Sequence, residues 1–343
     1  MIEHKYSYRE ARAEKTCAVV RLGAFGDLVV ASSIFPWLKE QGYHLTLYVS
    51  DYGYPVVKHD PHVDRFIIQG KDEMPPQALG EFWEHTKKKY DKWVNLSESV
   101  EGTLLAADGS SRFGWPNEVR AKYMDVNYLE FTHELAGVPP PYHPKFYSTR
   151  EEREWAWFQK RKFGRRNVLW SLSGSSVHKH WPHLDAIIAR FMLCYKDVDV
   201  VLVGDEVCEI LEAGWQKERR VHCRSGKWSI RQSMAFAEVA DLVIGCETGL
   251  LNAAGHMNTP KIVMLSHSSE NMLTKHWVNT ISLRQRWGGC PKQPCRQLHQ
   301  DWRDCNKYES ESVVAAMCQQ YIDHELVWDA VIRTMGEPAR KVA

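Results

Sequence analysis

Three polar segments, each placed directly after an apolar run, contain the side chains of this sequence that are best suited to chemistry. Residues 21–27 end in the carboxylate of Asp27 at a predicted helix start, where it can accept free backbone N–H groups. Residues 171–182 combine hydroxyls, a glycine and Lys179 before a helix, which suits an anionic phosphate. Residues 247–249 open a helix of small residues whose free N–H groups could hold a diphosphate. Each segment also has a simpler interpretation, as a capped tight turn, a solvated loop or a capped helix start.

The elements that carry these segments alternate between short apolar strands and helices, which indicates parallel sheets with helices on their faces. Prolines and charged residues interrupt the alternation between residues 139 and 166, and the same rhythm then restarts. We therefore predict an α/β protein with two doubly wound domains, residues 1–150 and 151–310. A C-terminal helical segment, residues 311–343, could pack back on the first domain. The predicted strands are residues 17–22, 44–50, 65–69, 92–96, 168–172, 198–203, 219–223, 242–245 and 261–265.

Two familiar phosphate-binding signatures are missing from the sequence. Neither G-x-x-x-x-G-K-[ST] nor G-x-G-x-x-G occurs after the first strand of either half. This disfavours a P-loop NTPase and an ordinary dinucleotide dehydrogenase. Open α/β sheets nevertheless bind ligands beyond the carboxyl ends of their strands, where all three polar segments are predicted to lie.

Taken together, the three segments resemble glycosyltransferase family nine, the ADP-heptose:lipopolysaccharide heptosyltransferases and their relatives. Residues 21–27 match the family pattern R-x-x-x-x-G-D after the first strand, and residues 240–249 match A-D-L-V-I-G-x-[DE]-T-G. Two further family segments are matched by Gly174, Ser175, Ser176, Lys179, Trp181 and Pro182, and by Ser225, Gly226, Ser229, Ile230, Met234 and Ala235. The matches occur in the family's order and extend over the whole chain.

The resemblance implies a GT-B fold, with the acceptor bound by the first domain and the nucleotide sugar by the second. It implies that Asp27 is the general base of an inverting reaction and that Lys179 neutralises the departing diphosphate, with neither a metal nor another cofactor. The other substrate-binding and nucleotide-binding positions are Arg21, Gly26, Ser173, Gly174, Ser175, Ser176, Gly204, Asp205, Ser225, Gly226, Met234, Glu247, Thr248, Gly249 and Asn252.

Some positions depart from the family pattern. Glu247 stands where the family commonly has aspartate, and Asn252 stands where it has histidine. Residues 266–277 replace the family's G-P-T-like loop after the last strand. Because these changes surround the expected donor phosphates and sugar, the sequence disfavours ADP-heptose itself as the donor.

The cysteines fall into two groups. The chain has nine, an odd count, and six stand singly among apolar or helical residues, as is typical of free thiols in a reducing cytoplasm. The others, Cys290, Cys295 and Cys305, form a cluster with His299 that could hold a structural zinc ion. The spacing matches no common zinc motif, so free thiols or a disulfide stay as alternatives.

We predict an inverting, metal-independent glycosyltransferase that moves a sugar from a nucleoside diphosphate to a glycan or lipid-linked saccharide. One alternative is glycosylation of a nucleic-acid base, since basic side chains in residues 87–89 and 161–166 could meet phosphates. The formal net charge of +1 argues against it. Another alternative is a non-catalytic relative that only binds nucleotide sugars. The sequence has neither an apolar signal core nor a run of about 18 apolar residues, so we expect a cytoplasmic protein. A peripheral contact with the inner face of the membrane stays open for a lipid acceptor.

Overall fold

The computed structural model describes residues 15–70, 76–97, 100–286, 288–299, 305, 307–309 and 314–338. Residues 1–14 of the predicted first domain, and residues 311–313 and 339–343 of the predicted C-terminal segment, lie outside this part. The strands are β1 Lys15–Arg21, β2 Tyr43–Ser50, β3 Arg65–Gln69, β4 Lys92–Asn95, β5 Ala106–Ala107, β6 Arg166–Ser171, β7 Val198–Val203, β8 Val221–Cys223, β9 Leu242–Cys246, β10 Lys261–Met264, β11 Thr280–Leu283, β12 Gln297–Leu298, β13 Lys307–Glu309 and β14 Val314–Ala316.

Several of the α-helices are shorter than the average helix of a globular protein. They are α1 Phe25–Ala31, α2 Phe35–Glu40, α3 Tyr54–Val57, α4 Pro76–Thr86, α5 Asn117–Met124, α6 Tyr128–Ala136, α7 Arg150–Lys162, α8 Leu184–Cys194, α9 Glu209–Glu212, α10 Ile230–Ala237, α11 Gly249–Ala254, α12 Met317–Gln320 and α13 His324–Met335. No helix within the described ranges combines the length and the apolar character that crossing a bilayer requires.

The chain divides into two compact units. The first comprises Met1–Thr103 and Asn127–Tyr147, as far as they are described, and the second comprises Leu104–Val126 and Ser148–Ala343. The junction between Tyr147 and Ser148 falls inside the linker that the prolines and charged residues predict. The inclusion of Leu104–Val126 in the second unit differs from the predicted boundary at residue 150.

The first unit is built on a parallel sheet with the strand order β3-β2-β1-β4. The central strand β1 is buried on both faces, since Cys17, Ala18, Val19 and Val20 are all fully inaccessible. Such a continuous apolar run is what a parallel strand covered by helices on both faces requires. Helix α6 belongs to this unit and begins with the Asn127 side chain, which accepts hydrogen bonds from the N–H groups of Leu129 and Glu130.

The second unit contains a six-stranded parallel sheet with the order β11-β10-β9-β6-β7-β8. Its main core covers one face of this sheet and includes Trp170, Trp181 and Phe191. The parallel α/β class predicted from the sequence is therefore confirmed in both halves.

The C-terminal segment differs from its prediction. Strands β13 and β14 form an antiparallel pair, and β14 lies where the sequence predicts helix. Helix α13 belongs to the second unit and contributes Leu326, Val327 and Val331 to its core. The apolar face of α13 packs against α8, β10 and β11.

Candidate functional site

The carboxylate of Asp27 is fixed at the carboxyl end of β1. Helix α1 begins at Phe25, so Asp27 is its third residue, and one carboxylate oxygen accepts the N–H of Ala24 at 2.8 Å. The same oxygen lies 2.9 Å from the guanidinium of Arg21, and the other accepts the hydroxyl of Tyr128 at 2.9 Å. The Asp27 side chain is 15% exposed. The carboxylate is thus held in one orientation while it remains accessible.

Arg21, predicted to bind substrate, lies beneath Asp27 and is almost fully buried. Its guanidinium donates to the carbonyl oxygen of Leu96 at 3.1 Å and to the Tyr128 hydroxyl at 3.2 Å. These contacts and the ion pair with Asp27 account for its position. Gly26 is buried within the first turn of α1. In this structure both residues support Asp27 from inside the first unit.

In the second unit, the loop after β6 meets the end of β9. The hydroxyls of Ser171 and Thr248 lie 3.0 Å apart. A Cβ atom added at Gly174 would lie 2.7 Å from Cδ of Lys179 and 3.4 Å from Cγ2 of Thr248, so only a glycine fits here without displacement. Because β6 and β9 are parallel neighbours, their carboxyl ends bring Gly174, Lys179 and Thr248 together, as the sequence predicts.

The remaining residues of these two loops differ in exposure. Gly174 and Ser175 are exposed, Ser173 is half-buried and Ser176 is buried. Thr248 caps α11, whose first residue is Gly249, and accepts the N–H of Leu251 at 3.3 Å. The amide of Asn252 donates to the Thr248 carbonyl at 3.0 Å, so it stabilises the first turn of its own helix.

Glu247 is buried, and its carboxylate accepts hydrogen bonds from the loop that follows β10. One oxygen accepts the N–H groups of Ser266 and Ser268 at 2.9 and 3.1 Å. The other accepts the Ser266 hydroxyl at 2.8 Å and lies 2.6 Å from Nδ1 of His267. Burial alone would raise the pKa of Glu247, but His267, Lys179 and the hydrogen bonds together lower it to about 2.

Sequence reasoning did not single out two buried histidines beside this loop. His178 contacts His267 with 4.7 Å between ring centroids, and its Nε2 lies 3.2 Å from the Ser176 hydroxyl. Burial, reinforced by His267 and Lys179, lowers the pKa of His178 well below its ordinary value. Its Nδ1 is buried without a hydrogen-bond partner. The imidazole of His178 is therefore neutral and lies in the same short turn as Lys179.

A second group of predicted residues lies at the carboxyl ends of β7 and β8. Gly204 is half-buried, and its carbonyl accepts the N–H of Gly226 at 3.1 Å. Exposed Asp205 caps a short 3-10 turn through the N–H of Cys208. The hydroxyl of fully buried Ser225 donates to Glu212 at 2.6 Å.

Met234 is also fully buried, within α10, and lies in neither loop group. The other predicted nucleotide-binding residues of the second unit lie at the carboxyl ends of β6 and β9 or of β7 and β8, which are neighbouring strands of one sheet.

The zinc alternative stays a prediction. Its four residues, Cys290, Cys295, His299 and Cys305, line one small pocket of the second unit together with Cys318. Within the described part of the chain, no three histidine, cysteine or acidic side chains form a group that could hold a metal ion. All nine cysteines are described and none is in a disulfide, so the disulfide alternative is wrong. Burial raises the pKa of Cys295 to about 12, which keeps it a neutral thiol.

The family model of glycosyltransferase family 9 (heptosyltransferase) matches residues 82–300, more than half of the chain. The chain belongs to glycosyltransferase family 9. The prediction made from the sequence motifs is therefore confirmed, and the chain is an enzyme of the heptosyltransferase type with the GT-B fold.

Individual relatives agree with this assignment. The chain is 20% identical over 285 residues to lipopolysaccharide heptosyltransferase 1 of Campylobacter coli, covering 72% of this chain and 82% of that protein. It resembles the structure of ADP-heptose lipopolysaccharide heptosyltransferase II of E. coli, with a TM-score of 0.57, 15% identity and coverage of 82% and 96%.

It also resembles the iron-containing dodecameric glycosyltransferase TibC of enterotoxigenic E. coli, with a TM-score of 0.56, 13% identity and coverage of 94% and 78%. The iron is a property of TibC, and the described residues of the present family 9 member offer no group that fits such an ion.

Proposed function

We propose that this family 9 enzyme transfers a sugar from a nucleoside diphosphate to a hydroxyl group of a saccharide, with inversion at the anomeric carbon. The observation that carries the proposal is the fixed carboxylate of Asp27. It is held by Arg21, Tyr128 and the N–H of Ala24 at the end of the central strand of the first unit. A carboxylate oriented by several donors, yet accessible, is suited to accept a proton from an attacking hydroxyl.

In the proposed step, the acceptor oxygen forms a bond to the anomeric carbon while its proton moves to Asp27. The bond between that carbon and the diphosphate oxygen breaks on the opposite face of the sugar, which inverts the configuration. The electron pair leaves with the nucleoside diphosphate. A positioned general base contributes about 10²–10⁴-fold to such a rate.

Lys179 is proposed to stabilise the departing diphosphate. Gly174 lies between the side chains of Lys179 and Thr248 at the carboxyl ends of β6 and β9, since a Cβ atom added to it would meet both. An ammonium group placed where negative charge develops lowers the barrier without needing reorganisation. In this role it would supply the positive charge that a metal ion supplies in other glycosyltransferases, and so we propose a metal-independent reaction.

The nucleotide sugar is proposed to bind along the same edge of the second sheet. Gly204 and Gly226 are joined by a hydrogen bond of 3.1 Å at the ends of β7 and β8, where a nucleoside could approach the backbone. Glu247 faces the loop of Ser266 and Ser268. We therefore propose that the donor sugar is recognised differently from that of relatives with aspartate at this position.

The acceptor is proposed to be a glycan or a lipid-linked saccharide, by analogy with the lipopolysaccharide heptosyltransferases that the chain resembles. We propose that the reaction takes place in the cytoplasm. The absence of disulfides among all nine described cysteines supports a reducing compartment.

A thermal-shift screen tests the donor half of this proposal. The protein is heated with ADP, GDP, UDP or CDP and with their common sugar conjugates. A donor at 100 times its dissociation constant adds about 2.7 kcal/mol to the free energy of unfolding. The shift should be much reduced in Lys179→Ala and preserved in Lys162→Ala, an exposed lysine on α7. Failure of every nucleotide to raise the melting temperature would contradict the proposal.

A further inference from the structure

A stacked pair of aromatic side chains lies at the sheet edge that carries the candidate base. Phe25 is two residues before Asp27, and its ring stacks on that of Tyr52 with 4.2 Å between centroids and 19° between planes. Tyr52 is 61% exposed, although Phe25 covers one side of its ring. The exposed area must therefore come mainly from the opposite face and the edges.

The backbone places this pair at the same sheet edge as Asp27. Strands β1 and β2 are parallel and paired, with Arg21 opposite Val49, so both strands end at the same edge of the sheet. A Cβ atom added at Gly53 would lie 3.3 Å from the Gly23 carbonyl oxygen. The turn that carries Tyr52 therefore rests directly on the loop that leads to Asp27.

The ring of Tyr52 is far more exposed than the half-buried ring of Phe25 on which it stacks. A buried tyrosine ring would contribute more to stability, and large exposed apolar surfaces commonly mark binding sites. Pyranose sugars have one face of C–H groups and an edge of hydroxyls. A flat aromatic face and an adjacent carboxylate match these two features, the ring taking the C–H face and the carboxylate taking a hydroxyl.

The charge next to the pair favours a neutral ligand. Asp51 is exposed, and its carboxylate accepts the N–H of Tyr52 at 2.7 Å. Arg21 is 2% exposed and already bonded to Asp27. Nucleic-acid bases also stack on aromatic rings, but an exposed acidic side chain beside the ring repels a phosphate backbone.

We propose that Phe25 and Tyr52 form the platform for the acceptor, on which a neutral saccharide ring stacks with one hydroxyl directed to Asp27. This proposal rests on the proposed function of Asp27 as the base. The protein would recognise an uncharged sugar ring of the acceptor, and Tyr52 would be a specificity-determining residue.

Saturation-transfer NMR tests the platform with four probes used separately: the methyl glycosides of glucose, galactose, mannose and N-acetylglucosamine. At least one should receive saturation, mainly at the ring C–H protons of one face. Tyr52→Ala should weaken the binding of that glycoside about fivefold, the factor that corresponds to one stacking contact. Tyr52→Trp should restore the binding. Tyr123→Ala, which removes a tyrosine that is 59% exposed in the second unit, should leave the signal unchanged.

The melting temperature of Tyr52→Ala should stay within about 2 °C of the parent value, since the substitution is at the surface. Absence of saturation for all four glycosides would overturn the platform. So would an unchanged signal in Tyr52→Ala, or binding of a dT10 oligonucleotide that Tyr52→Ala abolishes.

The test separates the platform from the role of Asp27. Asp27→Asn should keep glycoside binding while transfer is lost. If Asp27→Asn instead retained transfer, the proposed function would fail whatever Tyr52 did. If Asp27→Asn lost transfer but Tyr52→Ala left glycoside binding intact, only the platform would fail.

Discussion

Replacing Glu247 by glutamine removes the charge that holds the loop after β10. The carboxylate now accepts hydrogen bonds from the Ser266 and Ser268 N–H groups and from the Ser266 hydroxyl, and it pairs with His267. In glutamine, an NH2 group replaces one of the two carboxylate oxygens. At least one of the donors that now contact Glu247 would therefore meet another donor instead of an acceptor. A buried group that loses its partner in this way is strongly destabilised.

The magnitude follows from the pKa of Glu247, which is lowered from its ordinary value of 4.5 to about 2. A shift of this size corresponds to about 3 kcal/mol of stability at neutral pH. Because the folded-state pKa is lowered, this contribution is fully present above pH 4.5 and is lost as the pH falls through 4.5 towards 2. We therefore expect Glu247→Gln to be about 3 kcal/mol less stable at pH 7, with about 1 kcal/mol of that gap lost by pH 3.5.

Urea unfolding followed by tryptophan fluorescence, repeated between pH 7 and pH 3.5, measures this gap. Glu154→Gln is the matched control, because Glu154 is an exposed carboxylate of the same unit that pairs with Arg150 on one helix. It should change the free energy of unfolding by less than about 0.5 kcal/mol at every pH. A Glu247→Gln variant as stable as the parent at pH 7, or a gap independent of pH, would refute the anchoring role.

Three further substitutions test the surroundings of Asp27 in the first unit and of Lys179 in the second. Tyr128→Phe removes a donor to Asp27, so transfer should slow about tenfold while nucleotide affinity, measured by calorimetry, stays the same. Gly174→Ala places a Cβ atom 2.7 Å from Cδ of Lys179, and we expect weaker nucleoside diphosphate binding in the same calorimetric assay, though less weak than in Lys179→Ala. Arg21→Met leaves the partly buried Asp27 without its cation, which should lower the free energy of unfolding by about 3 kcal/mol or more in urea.

Local pattern was sufficient to predict most of both sheets. The strand at residues 198–203 was predicted with the bounds that β7 has, because six consecutive positions are buried and polar residues follow them. Asp27 and Lys179 were identified for a related reason. Both stand in polar segments directly after apolar strands, and the ends of parallel strands meet at one edge.

Contacts between distant residues could not be predicted in this way. Tyr128 reaches Asp27 across 101 positions of sequence, and nothing in the composition of α6 indicates that its hydroxyl has this partner. Strand β5 has only two residues and pairs with β12, which is too short for any periodicity to show. That pairing helps explain why Leu104–Val126 belongs to the second unit rather than the first.

The partner of Glu247 was equally hidden in the sequence. The replacement of aspartate by glutamate is visible there, but the six-residue polar stretch that begins at Ser266 gives no sign that it supplies the donors. The longer side chain and the altered loop are explained together only by the hydrogen bonds between them. Departures from a family pattern that contact each other in the structure can compensate for each other.

The most direct test of the proposed mechanism is the single-turnover rate of transfer by Asp27→Asn, measured with the nucleotide sugar that gives the largest thermal shift. Asparagine keeps the size of the side chain but cannot accept the proton from the acceptor hydroxyl. We predict that the rate falls by about 10²-fold or more, while the affinity for the nucleoside diphosphate changes less than about twofold. A variant that transfers sugar at nearly the parent rate would show that Asp27 is not the base.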